Sequence, residues 1–341
     1  MAIFISNIIL MLNMTDINEI KLDKVDRRIL IELDKNCRIP STKLARLVHK
    51  SRQAVDYRIN NLVTQGAIIG FQTSINPHKM GRRIYKVYLK IKNVPEKKEK
   101  LVKHLKSSAI VYWLGECSGT WDLILAVFAK SEYEFFEFKN EFISTFGDII
   151  IDSHGEPLID VKQYTKTYLL ESKEYPTESV MFGGETTHGP LDALDYSILQ
   201  AIVNNARISI VDLSSRTKSS IQTVQARLKK LEKLGVIIQY RIGLDLNKLG
   251  FELYKSIIKL QRYTKSDEKK LLQYVSSIPN IQYFIRNTWQ LELELVVKNY
   301  QEYYNLTENL KRKFPEVIQT IDSVLMISDE WTPGYTNLLK A

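Results

Sequence analysis

The chain has 341 residues but only two cysteines, Cys37 and Cys117, so a disulfide framework is excluded. Each cysteine lies in an apolar stretch, and we interpret both as small buried residues of a protein from a reducing compartment. Long apolar runs are also missing, because the apolar start at residues 1–12 is shorter than the about 20 residues that span a bilayer. That start lacks the basic leader and the cleavage site of a signal peptide. We therefore expect a soluble, cytoplasmic protein.

The apolar start has two interpretations. The first is that residues 1–13 do not belong to the protein and that Met14 is the true start. The alternative is an N-terminal arm that packs on the protein or anchors it.

Signatures of catalysis are missing as well. The sequence has no HxxxH or HExxH spacing, no histidine beside a cysteine in a metal-binding spacing, no glycine-rich phosphate loop and no GxSxG turn. Its five histidines are scattered along the chain: His49, His78, His104, His154 and His188. We therefore expect no enzyme activity, no catalytic residue, no metal site and no cofactor.

What the chain does have is positive charge. Lysine and arginine number 48 against 39 acidic residues, which gives a net charge of +9. An excess of this size favours a polyanionic partner, although charge alone says nothing about fold. The length corresponds to two or three domains of roughly 100–200 residues each.

A long internal repeat organises the sequence. Residues 51–69, SRQAVDYRINNLVTQGAII, recur as residues 220–238, SIQTVQARLKKLEKLGVII, at an offset of 169 (220 − 51). From Leu22 and Leu191 to Lys86 and Lys255 the two copies align without a gap. Such self-similarity indicates a tandem duplication of one structural unit.

Each repeat begins with a predicted winged helix-turn-helix. Apolar residues fall at helical spacing in residues 22–33 and again at Val55, Ile59 and Leu62, and a second helix is predicted over Thr42–Val48 with Ser41 as its N-cap. Gly66 ends the third helix, and Ile68–Ile75 is the predicted wing strand. Residues 51–69 and 220–238 therefore contain the two recognition helices.

After the first head, copy one changes to alternating polarity at residues 84–92, which is typical of a strand. The following elements have the order βαββαβ of a ferredoxin-like sandwich, with predicted helices at Pro95–Ser107 and Tyr133–Phe146. The predicted fold class is α+β, with two winged helix-turn-helix heads, each followed by a ferredoxin-like domain. The predicted boundaries are 22–75 and 83–170 for copy one, 171–190 for a linker, and 191–243 and 251–328 for copy two.

These motifs resemble the Lrp/AsnC family of prokaryotic transcription regulators, written twice in tandem. The resemblance rests on LDKVDRRIL at residue 22, on SxxxVxxRIxxLxxxGxI in the recognition helix, and on GTWD at Gly119–Asp122. It covers residues 22–170 and 191–328, and it implies an archaeal-like regulator that binds double-stranded DNA and self-associates through the ferredoxin-like domains. Those domains are expected to pair within the chain or between chains, with half-sites about one helical turn apart.

The residues expected to contact DNA lie on the outward face of each recognition helix. Arginine can pair with guanine and glutamine or asparagine with adenine, so Arg52 and Gln53 are the predicted base readers of copy one. For Arg58 a phosphate contact and a salt bridge within the head both remain open. The full predicted set is Ser51, Arg52, Gln53, Tyr57, Arg58 and Asn60 in copy one, and Ser220, Gln222, Thr223, Gln225, Arg227, Lys229 and Lys230 in copy two.

The resemblance also implies an effector site. In the family, amino acids or related small molecules bind near the turn that corresponds to Gly119, Thr120, Trp121 and Asp122. Copy two has Asn287 and Gln290 in place of the glycine and the aspartate, so its site is expected to be degenerate.

Two alternatives remain open. Haem-pathway decarboxylases resemble this architecture and have active-site histidines in the second domain, for which His104 and His154 are the candidates here. The other alternative is a ligand-sensing or assembly protein that does not bind DNA.

Overall fold

The computed structural model describes residues 19–170, 178–328, 330–331, 336 and 338–339. The predictions for residues 1–13 and for the first part of the linker, residues 171–177, lie outside the described residues.

The first head consists of three helices and a strand. They are α1 (Lys24–Lys35), α2 (Ser41–Leu47), α3 (Arg52–Thr64) and β1 (Ile68–Ile75). Asp23 begins α1 because its carboxylate accepts hydrogen bonds from the backbone N–H groups of Val25 and Asp26, both at 2.8 Å. The prediction that Ser41 caps α2 is wrong: Ser41 is the first helical residue, and Pro40 holds the cap position without a side-chain hydrogen bond.

The second head repeats this arrangement. It contains α6 (Ala193–Ile202), α7 (Ile210–Arg216), α8 (Ile221–Lys233) and β7 (Ile237–Leu244). Asp192 caps α6 as Asp23 caps α1. The turn before each recognition helix contains a non-glycine residue with positive φ, His49 at 53° and Lys218 at 50°. These residues are 169 positions apart, so the duplication extends to backbone conformation.

The remaining elements form two βαββαβ units, in the order that the sequence predicts. The first contains β2 (Arg83–Ile91), α4 (Pro95–Ser107), β3 (Val111–Gly119), β4 (Leu123–Ala129), α5 (Glu132–Phe146) and β5 (Ile150–Tyr164). The second contains β8 (Glu252–Leu260), α9 (Lys265–Val275), β9 (Ile281–Asn287), β10 (Gln290–Val297), α10 (Tyr300–Lys313) and β11 (Ile318–Met326).

The two units form one closed ring of strands within the chain. β5 pairs with β2 along residues 150–157 and then with β9 of the other unit from Leu158 to Gln163. β11 pairs in the same way with its own β8 and then with β3, through Val324, Leu325 and Met326. The ring order is therefore β11-β8-β10-β9-β5-β2-β4-β3 and back to β11. Closing the ring pairs sheet edges that would otherwise be exposed.

The two heads are joined through their wing strands. β1 and β7 form an antiparallel ribbon in which Phe71 lies opposite Ile242. Cys37 N–H donates to the Tyr240 carbonyl, and Ala206 N–H donates to the Phe71 carbonyl, both at 2.9 Å. Each head is thus hydrogen-bonded to the wing of the other.

Two short strands complete the sheet. β6 (Ser179–Gly183) pairs with β5, although its residues fall in the segment that the sequence predicts to be a linker. The Asn76 side chain holds the end of β6 in place, because it donates to the Gly183 carbonyl at 3.2 Å and accepts from the Gly183 N–H at 3.1 Å. β12 (Glu330–Trp331) pairs with β3 beyond the end of β11.

Gly119 is where closure of the ring is most sensitive to a side chain. Its φ is +127°, and a Cβ there would lie 2.5 Å from the Ser323 carbonyl oxygen of β11. We expect Gly119→Ala to lower the free energy of unfolding by about 1–3 kcal/mol, because the substitution strains the backbone and separates β3 from β11. The measurement is chemical denaturation followed by fluorescence.

Gly70→Ala is the matched control, since an added Cβ at Gly70 meets no atom within 4 Å. Its effect should stay within about 0.5 kcal/mol. Equal losses for the two variants would show that closure at Gly119 is not what limits stability.

Candidate nucleic-acid interface

The recognition helices present one apolar and one polar face. In α3 the residues Val55, Ile59 and Leu62 are buried in the head. The opposite face is open to solvent, and Tyr57 is 72% exposed. In α8 the buried residues are Val224, Leu228 and Leu231. The solvent-facing predicted DNA contacts are Ser51, Arg52, Gln53, Tyr57, Asn60, Ser220, Gln222, Thr223, Gln225 and Lys229.

The residue immediately before each recognition helix is a serine that caps the helix. Ser51 Oγ accepts the Ala54 N–H at 3.2 Å, and Ser220 Oγ accepts the Thr223 N–H at 3.1 Å. Each hydroxyl satisfies a backbone donor that the first helical turn leaves without a partner. These two serines therefore set where the helix begins, and the side chains after them face solvent.

Arg58 forms a salt bridge within the first head. Its Nη1 lies 2.7 Å from Asp23 Oδ2 and 2.7 Å from Asp26 Oδ1, so the guanidinium joins α3 to the start of α1. Hydrogen bonds to Asp26 and then to Asp23 raise the pKa of Arg58 above its ordinary value. The structure therefore contains the salt bridge within the head.

Copy two repeats this contact. Arg227 Nη1 lies 2.6 Å from Asp192 Oδ2, and Lys230 Nζ lies 2.6 Å from Asp195 Oδ2. The Asp195 backbone N–H and the Arg227 guanidinium hold the pKa of Asp192 below its usual value. Arg227 and Lys230 both bind carboxylates at the start of α6, and their contact with DNA stays a prediction.

Arg52 differs from Arg58 in its surroundings. Its Nε lies 3.4 Å from Asp56 Oδ2 one helical turn away, but its side chain remains 67% exposed. Exposed pairs of this kind are worth little in water, so the guanidinium can exchange Asp56 for another acceptor. In copy two, Lys218, Lys229 and Lys233 are the exposed cations of the same region.

The turn predicted to bind an effector is held by its own charged groups. Asp122 accepts from Lys90 Nζ at 3.0 Å and from the Ile91 N–H at 2.9 Å. Trp121 is half-buried, with its ring 5.8 Å from that of Tyr88. Gly119 and Thr120 are both exposed, and Gly119 pairs with Val324 of β11. The four residues are together at one turn, and the carboxylate already has two partners.

At the corresponding turn of copy two the arrangement is different. Asn287 is buried, and its Nδ2 donates to Glu292 Oε1 at 2.7 Å and to Tyr88 Oη at 3.2 Å. Trp289 is 78% exposed, and its backbone N–H donates to Glu156 of the first unit at 2.8 Å.

One buried cluster of charged residues was not predicted from the sequence. Asp34 of α1 is fully buried and accepts from Nε and Nη2 of Arg241 in β7, both at 2.9 Å. Lys166 Nζ lies 3.3 Å from Asp34 Oδ1. The cluster ties the first head to the wing of the second. The sequence contains one signal for this cluster, Arg241, which is a cation in a largely apolar strand. Copy one has Gln72 at the matching position.

The described part of the chain contains neither of two other kinds of site, a metal site or a membrane span. No three His, Cys, Asp or Glu side chains there are grouped to hold a metal ion. No described helix has the length and apolar character needed to cross a membrane.

Both heads match family models of helix-turn-helix domains. Residues 22–63 match the model of the AsnC-type helix-turn-helix domain, and residues 191–238 match that of a winged helix-turn-helix DNA-binding domain. The chain is 31% identical over 134 residues to the proline dehydrogenase transcriptional activator of Rhodobacter capsulatus, covering 38% of this chain and 84% of that protein. The chain belongs to the Lrp/AsnC family of transcription regulators.

Other relatives carry the same kind of name. An uncharacterized HTH-type transcriptional regulator of Pyrococcus horikoshii is 30% identical over 116 residues, which cover 34% of this chain and 73% of that protein. The HTH-type transcriptional regulator LrpC of Bacillus subtilis is 30% identical over 96 residues. That match covers 28% of this chain and 65%, just under two thirds, of LrpC.

A solved structure shares the two-unit architecture. The siroheme decarboxylase NirDL superposes with a TM-score of 0.62 over 93% of this chain and 97% of that one, at 13% identity. At this identity the likeness concerns the fold.

The two arginines of α3 give a direct test of the interface in this Lrp/AsnC protein. We expect Arg58→Ala to lower the free energy of unfolding by about 1 kcal/mol, since it removes contacts with two carboxylates. It should leave the slope of log affinity against log salt unchanged, because the guanidinium is engaged by two carboxylates of the head. Thermal melting and a salt titration of DNA binding measure the two effects.

Arg52→Ala, on the same helix, is the control and should have the opposite effects on stability and on DNA binding. It should melt like the unmodified protein and bind DNA more weakly. The assignment of Arg58 would fail if its removal reduced the salt slope by about one, as the loss of a phosphate contact does.

Proposed function

We propose that this protein is a sequence-specific, DNA-binding transcription regulator in which one chain supplies two unlike DNA-reading heads. The observation that carries the proposal is the β1–β7 ribbon, which joins the heads within a single chain. A helix-turn-helix dimer reads two half-sites with two identical heads. Here the duplication provides both heads, and each can have its own sequence preference.

The exposed faces support unlike preferences. At the offset of 169, Gln53 corresponds to Gln222, but Arg52 corresponds to Ile221 and Asn60 to Lys229. Arginine favours guanine and asparagine favours adenine in the major groove, whereas an exposed lysine can bind phosphate without reading sequence. Copy one is therefore expected to contribute more base discrimination, and copy two more salt-sensitive affinity.

Head spacing is set inside the chain in this proposal. The ribbon, the backbone hydrogen bonds across it and the Asp34–Arg241 contact all hold one head against the other. The half-sites should then lie about one helical turn apart, roughly 34 Å centre to centre.

An effector role is proposed for copy one only. Gly119, Thr120, Trp121 and Asp122 keep the turn that binds small molecules in the resembled family, and Thr120 is open to solvent. In copy two the matching Asn287 is buried and bonded to Glu292. An amino acid or a related molecule would have to displace Lys90 from Asp122 to use that carboxylate.

Selection from random duplex DNA at near-physiological salt tests the main proposal. We expect an asymmetric motif with two different half-sites, because the two recognition helices present different side chains. The same selection with Arg52→Ala should lose information in one half-site only. Lys229→Ala should keep the motif and weaken binding to all sequences, with a salt slope smaller by about one.

Other outcomes would contradict parts of the proposal. A palindromic motif would mean that only one head reads sequence, in a symmetric pair of chains. No enrichment, together with binding that disappears as salt rises, would mean that the protein binds DNA without sequence specificity.

We also propose that the chain is not a decarboxylase, despite the shared architecture. The candidate histidines lie on different elements, and each has its own glutamate: His104 Nε2 is 3.8 Å from Glu141, and His154 Nε2 is 3.2 Å from Glu156. We expect no loss of carboxylate groups when the protein is incubated with siroheme under reducing conditions and the pigment is analysed by mass spectrometry. Turnover of siroheme that stops on His154→Ala would reverse this assignment.

A further inference from the structure

The residue that follows the N-cap serine differs between the two recognition helices. Arg52 follows Ser51 in α3, and Ile221 follows Ser220 in α8. The two positions are equivalent, because they lie 169 residues apart (221 − 52) and each cap serine accepts a backbone N–H of its first turn. N-terminal residues of a recognition helix are the ones that contact base edges in the major groove. The two heads therefore present an arginine and an isoleucine at the same position for contact with a base.

Ile221 is the first residue of α8, and it reaches solvent. It is 37% exposed, whereas Val224, Leu228 and Leu231, which form the buried face of the helix, are at most 7% exposed. Part of Ile221 is therefore available for a contact outside the head. Single exposed apolar residues are common on protein surfaces, so it is the position of Ile221, together with its exposure, that points to a ligand.

The hydroxyl groups of the first turn of α8 already have partners in that turn. Ser220 Oγ accepts the Thr223 N–H at 3.1 Å and lies 2.9 Å from Thr223 Oγ1. Gln222 is exposed beside Ile221, and its amide can both donate to and accept from a base edge. The first turn of α8 therefore presents an amide and an aliphatic side chain, where the first turn of α3 presents an amide and a guanidinium.

An aliphatic side chain is suited to one feature of the major groove. Guanine, adenine and cytosine are distinguished there by hydrogen-bond donors and acceptors, whereas thymine adds a C5-methyl group to its O4 acceptor. The side chain of Ile221 has no donor and no acceptor, so it cannot read the first three bases by hydrogen bonding. Contact with the methyl group removes apolar surface of both partners from water, which is favourable without any charge.

We propose that Ile221 reads a thymine, through its C5-methyl group, in the half-site bound by the second head. This role of Ile221 rests on the proposed DNA-binding function, and it assigns the chemistry of one base in one half-site. Arg52 occupies the matching position of the first head, where a guanidinium suits guanine O6 and N7. The two half-sites therefore differ at this position, with guanine in one and thymine in the other.

Selection from random duplex DNA with the full chain locates the base that Ile221 reads. The half-site of the second head is the one that Arg52→Ala leaves unchanged. With the unmodified protein this half-site should contain a thymine, and selection with Ile221→Ala should lose the preference at that position. The half-site of the first head should not change, because Ile221 belongs to α8 only.

Removal of the methyl group alone then tests the contact. Deoxyuridine in place of that thymine deletes the methyl group and keeps every hydrogen-bonding group of the base. The unmodified protein should bind the deoxyuridine duplex about fourfold more weakly, which corresponds to about 0.8 kcal/mol for one buried apolar carbon. The ratio of the two affinities should stay constant as salt rises, because the contact involves no charge, whereas both affinities should fall.

Variants of the first turn of α8 assign the effect to one side chain. Ile221→Ala should bind the thymine and deoxyuridine duplexes equally. Thr223→Ser is the matched control, since it removes a methyl group from the same turn and keeps the hydroxyl beside Ser220, and it should retain the fourfold ratio. Ile221→Arg gives the second head the residue that the first head has, and selection should then return guanine at this position, preferred about fivefold or more. Both substituted positions are exposed, so the three variants should melt like the unmodified protein.

An asymmetric motif without a thymine that depends on Ile221, or with one that deoxyuridine replaces at no loss of affinity, would overturn this role of Ile221 and leave the proposed function standing. A loss of affinity that persists in Ile221→Ala would also overturn it, because another residue would then contact the methyl group. The absence of any enriched motif would contradict the proposed function itself, and the role of Ile221 with it.

Discussion

Backbone hydrogen bonds between the two copies are the constraint on which the structure depends. β5 and β11 each begin on the sheet of their own unit and end on the sheet of the other. A four-stranded sheet alone would expose two edges, which are open to pairing with other chains. The duplicated chain carries complementary edges on one polypeptide, so they meet without the loss of translational freedom that a dimer of separate subunits incurs. Ring closure and head pairing follow from that intramolecular contact.

Fusion also frees the two copies from being identical. In a symmetric dimer one substitution appears on both sides of the axis, so a residue must suit two environments at once. Here Gly119 admits the close approach of β11, while its counterpart Asn287 fills a buried position beside Glu292. Ala126 and Glu294 form another such pair, one leaving space and the other binding Lys255. Differences in the recognition helices are the same effect at the surface, and they are what an asymmetric DNA site requires.

Local patterns predicted most of the elements. The helix over Pro95–Ser107 and the wing over Ile68–Ile75 have the predicted bounds, because apolar spacing and turn residues act over a few positions. The repeat and the family resemblance identified the fold of both copies. Local sequence patterns did not predict an element when the residues that stabilise it are distant in sequence. β6 lies in a segment rich in polar residues, proline and glycine, and it is a strand because it pairs with β5 and its end is bonded to Asn76.

The candidate DNA-contacting residues show the same difference between local and distant determinants. Exposure of Arg52, Gln53 and Asn60 follows from helical periodicity, and the structure places all three on the open face. The partners of Arg58 lie 32 and 35 positions away on α1, so its own helix could not reveal them. The strand ring depends on backbone pairings between the two copies, which no single repeat specifies.

The buried Asp34–Arg241–Lys166 cluster is best understood as a determinant of register. Burying charges costs several kcal/mol per ion, roughly as much as the attraction returns, so such clusters add little net stability. They do penalise alternatives strongly. A slip of one residue in the β1–β7 ribbon would turn Arg241 to the opposite face and leave Asp34 without its bidentate partner. The ribbon contains two irregularities of register, between Ile68 and Gly70 and between Ser74 and Ile75. A buried charge that tolerates one register only therefore fixes how the two heads lie relative to each other.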